Sequence, residues 1–339
     1  MLKVSVSPDF SIPYYAFYLE GLCRVFGPTS ITFDEDTFPS SSGDKEGLAF
    51  TIQGRAAGRA LNRRIYISAN DWARYDAAAL AWCDQYGMVN HDPKAAPAAD
   101  AGKIVPIGPS FGVRQWQSLA VTARAVAHLL PKWLAANRST APKRLNQLRK
   151  HFFNRRPETD YRPAPSDDSY VFFVAWPWKK HPHVNPPRAR FMRVCKRSCF
   201  VRFEGGFAPR RRADVPMIAD VTAERLYSFT EWLDKTQRSA AVFNCPAVHD
   251  CHGWKLGEFL ALGKAIITLP LSRSLPVPLE HGHTCHFVDD DEDHMLEALE
   301  RLIKDRPYRT ALEVAARQYY LEHLAPERVI LRLVYGSFQ

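Results

Sequence analysis

The chain has 339 residues, 46% hydrophobic and 24% charged, a composition that excludes a disordered segment and favours two domains of ordinary size over one large core. No window approaches the eighteen or so uninterrupted apolar residues of a membrane span, and the N-terminal MLKVSVSPDF lacks signal-peptide organisation, so a cytoplasmic protein is expected. Seven cysteines without a framework of even spacings suit reduced thiols, and 45 Lys+Arg against 36 Asp+Glu favours an anionic partner: nucleotide, nucleic acid or an anionic membrane surface.

LKVSVSP reads as a buried strand and loop, and IPYYAFYLEGLCRVFG as a helix with Pro13 in its first turn and Gly27 at its end. ITFD, LAFTIQ, RIYISA and KIVPIG supply further short strands, and the alternation predicts a mainly parallel sheet covered on both faces. From Ser118 to Phe153 the pattern is helical and then basic, with Lys143, Arg144, Arg149, Lys150, Arg155 and Arg156 close together. The polar RRPETDYRPAPSDD that follows marks a domain boundary, giving domains at 1–160 and 161–319, with a terminal helix over 320–339 that packs back on the first.

The second half restarts with the strand YVFFVAW. PPRARFMRVCKR reads as a helix, FVRF as a strand, TAERLYSFTEWLDKTQ as a helix capped by Thr222, AAVFN as a strand, GEFLALG as a short helix and KAIITLP as a strand. Two periodic helices, DDDEDHMLEALERLIKD and PYRTALEVAARQYYLEHL, finish the chain. Two α/β halves place a ligand cleft at the carboxyl ends of their strands.

DCHGWKLGEFLALGKAII, Asp250 to Ile267, sits between two of these strands. A helix N-terminus there offers backbone N–H groups and positive partial charge to a phosphate; Gly253 permits close approach and Lys255 adds a mobile cation. Asp250, Gly253, Glu258 and ALGKAII resemble, in order and spacing, the GT-B glycosyltransferases of the family-4-like group, in which two acids eight positions apart flank a glycine-containing loop. YVFFVAWPWKK, FVRFEGGF and LEHGHTCHFVDDDED fit the same order, so the resemblance spans roughly Tyr170 to Leu324.

The resemblance implies two Rossmann-like domains facing each other across a cleft, and transfer of a hexosyl or deoxyhexosyl unit, with retention at C1, from a nucleotide diphosphate sugar to a glycan or lipid-linked acceptor. It implies no metal and no cofactor beyond that co-substrate. Glu258 would bind the donor ribose, and Asp250, one methylene shorter than the family's usual Glu, would lie near the transferred sugar. Lys179, Lys180, Arg188 and Lys255 would meet the pyrophosphate; Gly205 and Gly206 would approach the nucleotide; His252, Gly253 and Trp254 would complete the donor site. In the first domain Asp9 is the candidate acceptor contact or general base, and Phe10, Tyr14 and Tyr15 are candidates for the apolar face of a sugar.

Rival readings stand beside these. Asp250 is equally placed to cap the following helix, and Asp9 to be a loop residue. The acidic run Asp289 to Asp293 contains Asp-x-Asp, which elsewhere holds a divalent metal, but it directly precedes a helix that it suits as a cap. CPAVHDCH and HGHTCH carry zinc-preferring residue types without structural-site spacing, and their histidines also suit a polar cleft, where His249 or His252 would touch sugar or phosphate. The basic 143–156 segment and the arginines at 210–212 allow nucleic-acid binding, but no nucleic-acid module surrounds them, so no nucleic-acid partner is expected; the basic segment equally suits an anionic lipid surface, which would seat a cytoplasmic protein peripherally on the inner membrane face beside a lipid-linked acceptor.

Overall fold

The computed structural model describes residues 2–34, 47–56, 59–115, 119–136, 141–210, 215 and 218–336, so two of the three arginines at 210–212 lie outside the described residues. The chain divides into two compact units: 1–160 with 274–277 and 322–339, and 161–273 with 278–321.

Unit 1 holds β1 (Lys3–Val6), α1 (Ile12–Phe26), β2 (Ile31–Phe33), β3 (Gly47–Ala56), β4 (Arg59–Ser68), α2 (Ala77–Trp82), β5 (Gln85–Met88), β6 (Ile104–Pro106), α3 (Leu119–Ala136), α4 (Ala141–Asn154) and, from the far end of the chain, α10 (Pro326–Tyr335). Pro13 opens α1 and Gly27, at φ 77°, closes it. Tyr15 to Leu22 are buried without a break, because α1 is covered by α10 as well as by the body of the unit.

Its sheet runs β2-β1-β3-β4-β5-β6. The sheet is mainly parallel, as expected, with one exception at its centre: β3 is antiparallel to both β1 and β4, while the remaining neighbours pair in parallel. Only two residues separate β3 from β4, far too few for a helical crossover, so the pair must form a hairpin. β3 thus fills the place between β1 and β4 where a doubly wound sheet would have its crevice.

Unit 2 holds β7 (Tyr170–Ala175), α5 (Asn185–Arg197), β8 (Arg202–Phe207), α6 (Phe229–Arg238), β9 (Val242–Asn244), α7 (Gly253–Ala261), β10 (Ile266–Thr268), β11 (His286–Phe287), α8 (Glu292–Lys304) and α9 (Arg306–Tyr319). β7 pairs with β8, and β9 with β10 and then β11, all in parallel. β7 and β9 meet at the join: Ala240 N–H donates to Tyr170 O at 2.7 Å, and the Ser239 hydroxyl accepts from Phe172 N–H at 2.9 Å. Phe173 packs edge-on against Phe243, three residues further along each strand than Tyr170 and Ala240, so the two strands run the same way and the two-stranded β8-β7 sheet lies beside the three-stranded β9-β10-β11 sheet. The chain winds outward from β7 to β8, then crosses back to β9 and winds the other way. The carboxyl ends of β7 and β9 therefore form the topological switch point of the unit, the place where open α/β sheets bind ligands.

Two helix boundaries differ from expectation. α6 begins at Phe229 and not after Thr222, because Ser228 and Glu231 form a complete capping box; Thr222 instead donates its hydroxyl to Ile218 O at 2.8 Å. α7 begins at Gly253, so Trp254 and Lys255 belong to its first turn and not to a loop. At α8 Asp291 accepts from the N–H groups of Asp293 and His294, which accounts for the acidic run as a cap. Among the described residues no helix is long and apolar enough to cross a membrane.

Candidate functional site

Two loops leave the switch point. The one after β7 carries Trp176, Trp178, Lys179 and Lys180, all exposed, and is pinned by buried Asn185, which accepts from Trp178 N–H at 2.9 Å and donates to Trp178 O at 2.8 Å. The one after β9 contains His249 and Asp250 with φ of 56° and 60°, a left-handed pair without glycine. Such backbone costs about 1–3 kcal/mol per residue and persists where surroundings enforce it. Here Arg273 donates to His249 O at 2.9 Å, and the His249 ring meets His181 of the other loop with centroids 5.1 Å apart.

Behind the loops lie three ionisable residues from two helices, two of them buried and Lys255 half-buried. Arg188 of α5 is 8% exposed and Glu258 of α7 is 6% exposed, while Lys255 projects from the first turn of α7. The Lys255 amine rests against Phe173, Trp232 and Phe259, 5.4–5.8 Å from each ring centroid. Burial pushes this amine down to about 8; Glu258 opposes the shift and the Arg188 charge adds to it. Arg188 faces the Cys245 thiol, which burial raises and the guanidinium partly lowers again. Among the described residues no carboxylate lies within salt-bridge distance of Arg188.

The helix ends reinforce this positive field unequally. Pro186 and Pro187 remove N–H donors from the first turn of α5. The first turn of α7 has no proline, no acidic residue and no side-chain cap, and Gly253, at φ 67°, opens it. One buried and one half-buried cation beside such a helix end have the chemistry to suit a multiply charged anion, with Glu258 able to accept hydroxyl hydrogens.

Other expected residues fall elsewhere or in other roles. Asp250 is exposed and caps nothing, since His252 holds the N-cap position of α7 without a side-chain bond; the capping alternative for Asp250 is thereby corrected. His252 is 1% exposed, a packing position. Trp254 is half-buried. Gly205 and Gly206 lie inside β8: a Cβ on Gly205 would sit 2.1 Å from Phe173 O, and one on Gly206 2.5 Å from Val221 O. Close backbone packing against β7 and the 219–221 turn accounts for them without a ligand.

In unit 1 Asp9 follows β1, half-buried, its N–H donating to Ser7 Oγ at 3.4 Å. Phe10 and Tyr15 are core residues, Tyr15 accepting from Ala69 N–H at 3.2 Å, so of the three aromatic sugar-platform candidates only Tyr14 is exposed. Among the described residues no group of three or more His, Cys, Asp or Glu is placed to hold a metal ion. Sequence reasoning missed the aromatic bed of Lys255, Cys245 beside Arg188 and the tether from Arg273; apart from Phe259, one turn along α7 from Lys255, these contacts join residues far apart in the chain, and no local pattern announces them.

No family model matches the sequence, and no curated protein matches it. Among solved structures, the chain is similar to the C-terminal domain of a glycosyl transferase group 1 family protein from Francisella tularensis, at 13% identity and TM-score 0.36 over 48% of this chain and 95% of that one. It is similar to a glycosyltransferase from Rickettsia africae at 11% identity and TM-score 0.44, over 78% of this chain and 66% of that one. For the Anabaena Alr3699/HepE protein in complex with UDP the values are 10% and 0.41, over 79% and 77%.

Proposed function

We propose that this chain is a GT-B glycosyltransferase whose unit 2 holds a nucleotide diphosphate sugar at its switch point. The observation that carries the reading is the pair of cations, buried Arg188 and half-buried Lys255, set beside the open first turn of α7 with Glu258 next to them. Arg188 without a carboxylate is a charge that a diphosphate would complete. Glu258 takes the ribose hydroxyls, Asp250 stands near the sugar, and Lys179 and Lys180 meet the diphosphate from the loop. As the bond from C1 to the diphosphate breaks and one to an acceptor oxygen forms, the negative charge left on the diphosphate is stabilised by Arg188, Lys255 and the α7 N–H groups.

The chemistry needs no metal in this reading, since side chains supply the countercharge. The motif resemblance further favours retention at C1, a hexosyl or deoxyhexosyl donor, and a glycan or lipid-linked acceptor of surface polysaccharide or glycoconjugate synthesis, with Asp9 of unit 1 on the acceptor side. A thermal-shift panel of UDP-, GDP-, dTDP- and CMP-sugars in EDTA tests the core of it. At about a hundred times Kd a bound donor should raise Tm by roughly 5 °C. Glu258→Ala should abolish most of that shift; no stabilisation by any member of the panel would remove the proposal, and binding without hydrolysis or transfer would reduce it to a binding protein.

A further inference from the structure

Unit 1 holds a polar pocket of about 470 Å³ at the amino ends of β4 and β5. It arises because the β3–β4 hairpin outruns its neighbours: β5 pairs with β4 only from Ile65 to Ser68, and β1 with β3 only from Phe50 to Gln53. The chain turns into β5 at Asp84, which is fixed to the projecting part of β4. Its carboxylate accepts from Arg64 N–H at 2.9 Å and from the Arg64 guanidinium at 3.0 Å, and its own N–H donates to Arg64 O at 2.8 Å.

Side chains two apart along a strand share a face. Thr51 is paired with Arg64 and Gln53 with Asn62, so these four lie on one side of the hairpin. Further along the same side Ala49 and Tyr66 pack with Ala79 and Leu80 of α2. α2 ends at Trp82, which packs against that buried cluster and also lines the pocket. A floor of hydroxyl and amide groups therefore meets an indole, and Arg63 and Asp84 complete the lining.

The charges of the pocket do not cancel. Arg64 is neutralised by Asp84, whereas among the described residues the side chains of Gln53, Asn62 and Arg63 have no hydrogen-bonded or ionic partner. One guanidinium is left for a ligand, which suits a single anionic group and not the row of phosphates along a nucleic acid. The volume lies in the range of small-molecule sites, about 300–1,000 Å³, and far exceeds what an inorganic ion fills. Amides and hydroxyls both donate and accept, as sugar hydroxyls do, and an indole offers a flat apolar surface to the C–H groups of a pyranose.

We propose that this pocket binds an acidic saccharide, a pyranose bearing a carboxylate or a phosphate, with Arg63 on the charge, Gln53 and Asn62 on the hydroxyls and Trp82 against the ring. Ligands of open α/β sheets bind at the carboxyl ends of the strands, and Asn62 lies roughly 20 Å from Ser68 at about 3.3 Å per residue along β4. The pocket is thus separate from the carboxyl ends of its own sheet. It stands on unit 1 alone, independent of sugar transfer by unit 2.

The test is saturation-transfer NMR of the full chain with D-glucuronate, D-galacturonate, glucose 6-phosphate and glucose. At least one acidic sugar should receive saturation on its ring protons and bind about tenfold or more tighter than glucose, the contribution of a hydrogen bond to a charged group. Whether a uronate or the phosphate binds identifies the charge. Arg63→Ala should remove that preference, and Gln53→Ala combined with Asn62→Ala should weaken the same sugar about tenfold. All three positions are exposed, so the unfolding midpoint should stay in place, as should any stabilisation by nucleotide sugars. Arg188→Met, in unit 2, should leave the saturation signal intact. No signal from any acidic sugar, an equal signal from glucose, full displacement by an equal concentration of inorganic phosphate, or persistence in Arg63→Ala combined with Asn62→Ala would overturn the proposal. Loss of the signal in Arg188→Met would do the same, by placing the sugar in unit 2.

Discussion

Arg24 in unit 1 and Arg188 in unit 2 are both guanidinium groups drawn into the interior, and they are treated in opposite ways. Arg24 bonds to Glu20 at 2.9 Å, Glu158 at 2.8 Å and Glu327 at 2.8 Å, joining α1, the 158–160 turn and α10. Those carboxylates raise its already high pKa despite burial. Arg188 faces a thiol and an amine. A buried charge surrounded by counterions is part of the fold, whereas one set among neutral or like-charged groups costs stability and is retained where something else binds it.

The largest expected effect comes from breaking the satisfied side of this contrast. Arg24→Ala removes the cation that buried Glu20 and Glu158 face, and should cost about 3–5 kcal/mol in urea unfolding. A second test in unit 1 uses acid. His151 is 6% exposed, and burial, followed by the charges of Arg155 and Arg114, pushes it down to about 4. Its unfolded form takes up a proton near pH 6.5, so its contribution is complete above that pH and is lost as pH falls from 6.5 to 4, up to roughly 3 kcal/mol. His151→Leu should flatten that stretch of the stability profile; an unchanged slope would show that other groups carry it.

Arg188→Met should behave in the reverse manner to Arg24→Ala. Stability should stay within about 1 kcal/mol of the parent or rise, because a desolvated charge without a carboxylate is exchanged for an apolar side chain of similar length. Affinity for whichever nucleotide diphosphate stabilises the protein should fall about tenfold to a hundredfold, the range for a hydrogen bond to a charged group. Destabilisation equal to that of Arg24→Ala, with affinity intact, would place Arg188 among the structural residues and end its assignment to the site.

The same contrast separates what sequence could convey from what it could not. Local signals read well: Pro13 and Gly27 bracket α1, and Asp291 caps α8. The β3–β4 hairpin was missed because LAFTIQ and RIYISA look alike whether they pair parallel or antiparallel, and the two-residue spacing that decides the matter appears only once both strand ends are known. Ser228 won over Thr222 through a reciprocal bond with Glu231, which a cap-residue preference alone does not weigh. In the candidate site the order of Asp250, Gly253, Lys255 and Glu258 was legible because they share one segment. The bed of Phe173 and Trp232 under Lys255 was not, since it arises only when β7 and α6 close around α7.

The smallest effect compares two lysines within unit 2. Burial pushes both Lys255 and Lys264 down to about 8, against the opposing pull of Glu258 on one and Glu313 on the other. Lys264 is enclosed, 1% exposed, and donates to Ser166 Oγ and Gln237 O, each at 2.8 Å, with Glu313 at 3.8 Å; its place in ALGKAII is structural. Lys255 sits on aromatic faces at the opening of α7, where a bound diphosphate would hold its proton and raise its pKa. Below pH 8 the ammonium is already present and affinity should be flat; above it binding must first take up a proton, so affinity should fall by up to about tenfold per pH unit between 8 and 9. Lys255→Met should lower affinity at pH 7.5 and remove the decline, and calorimetry in two buffers should show proton uptake near pH 8.5 in the parent alone. A decline that persists in Lys255→Met would assign the titration to another group and detach Lys255 from the diphosphate.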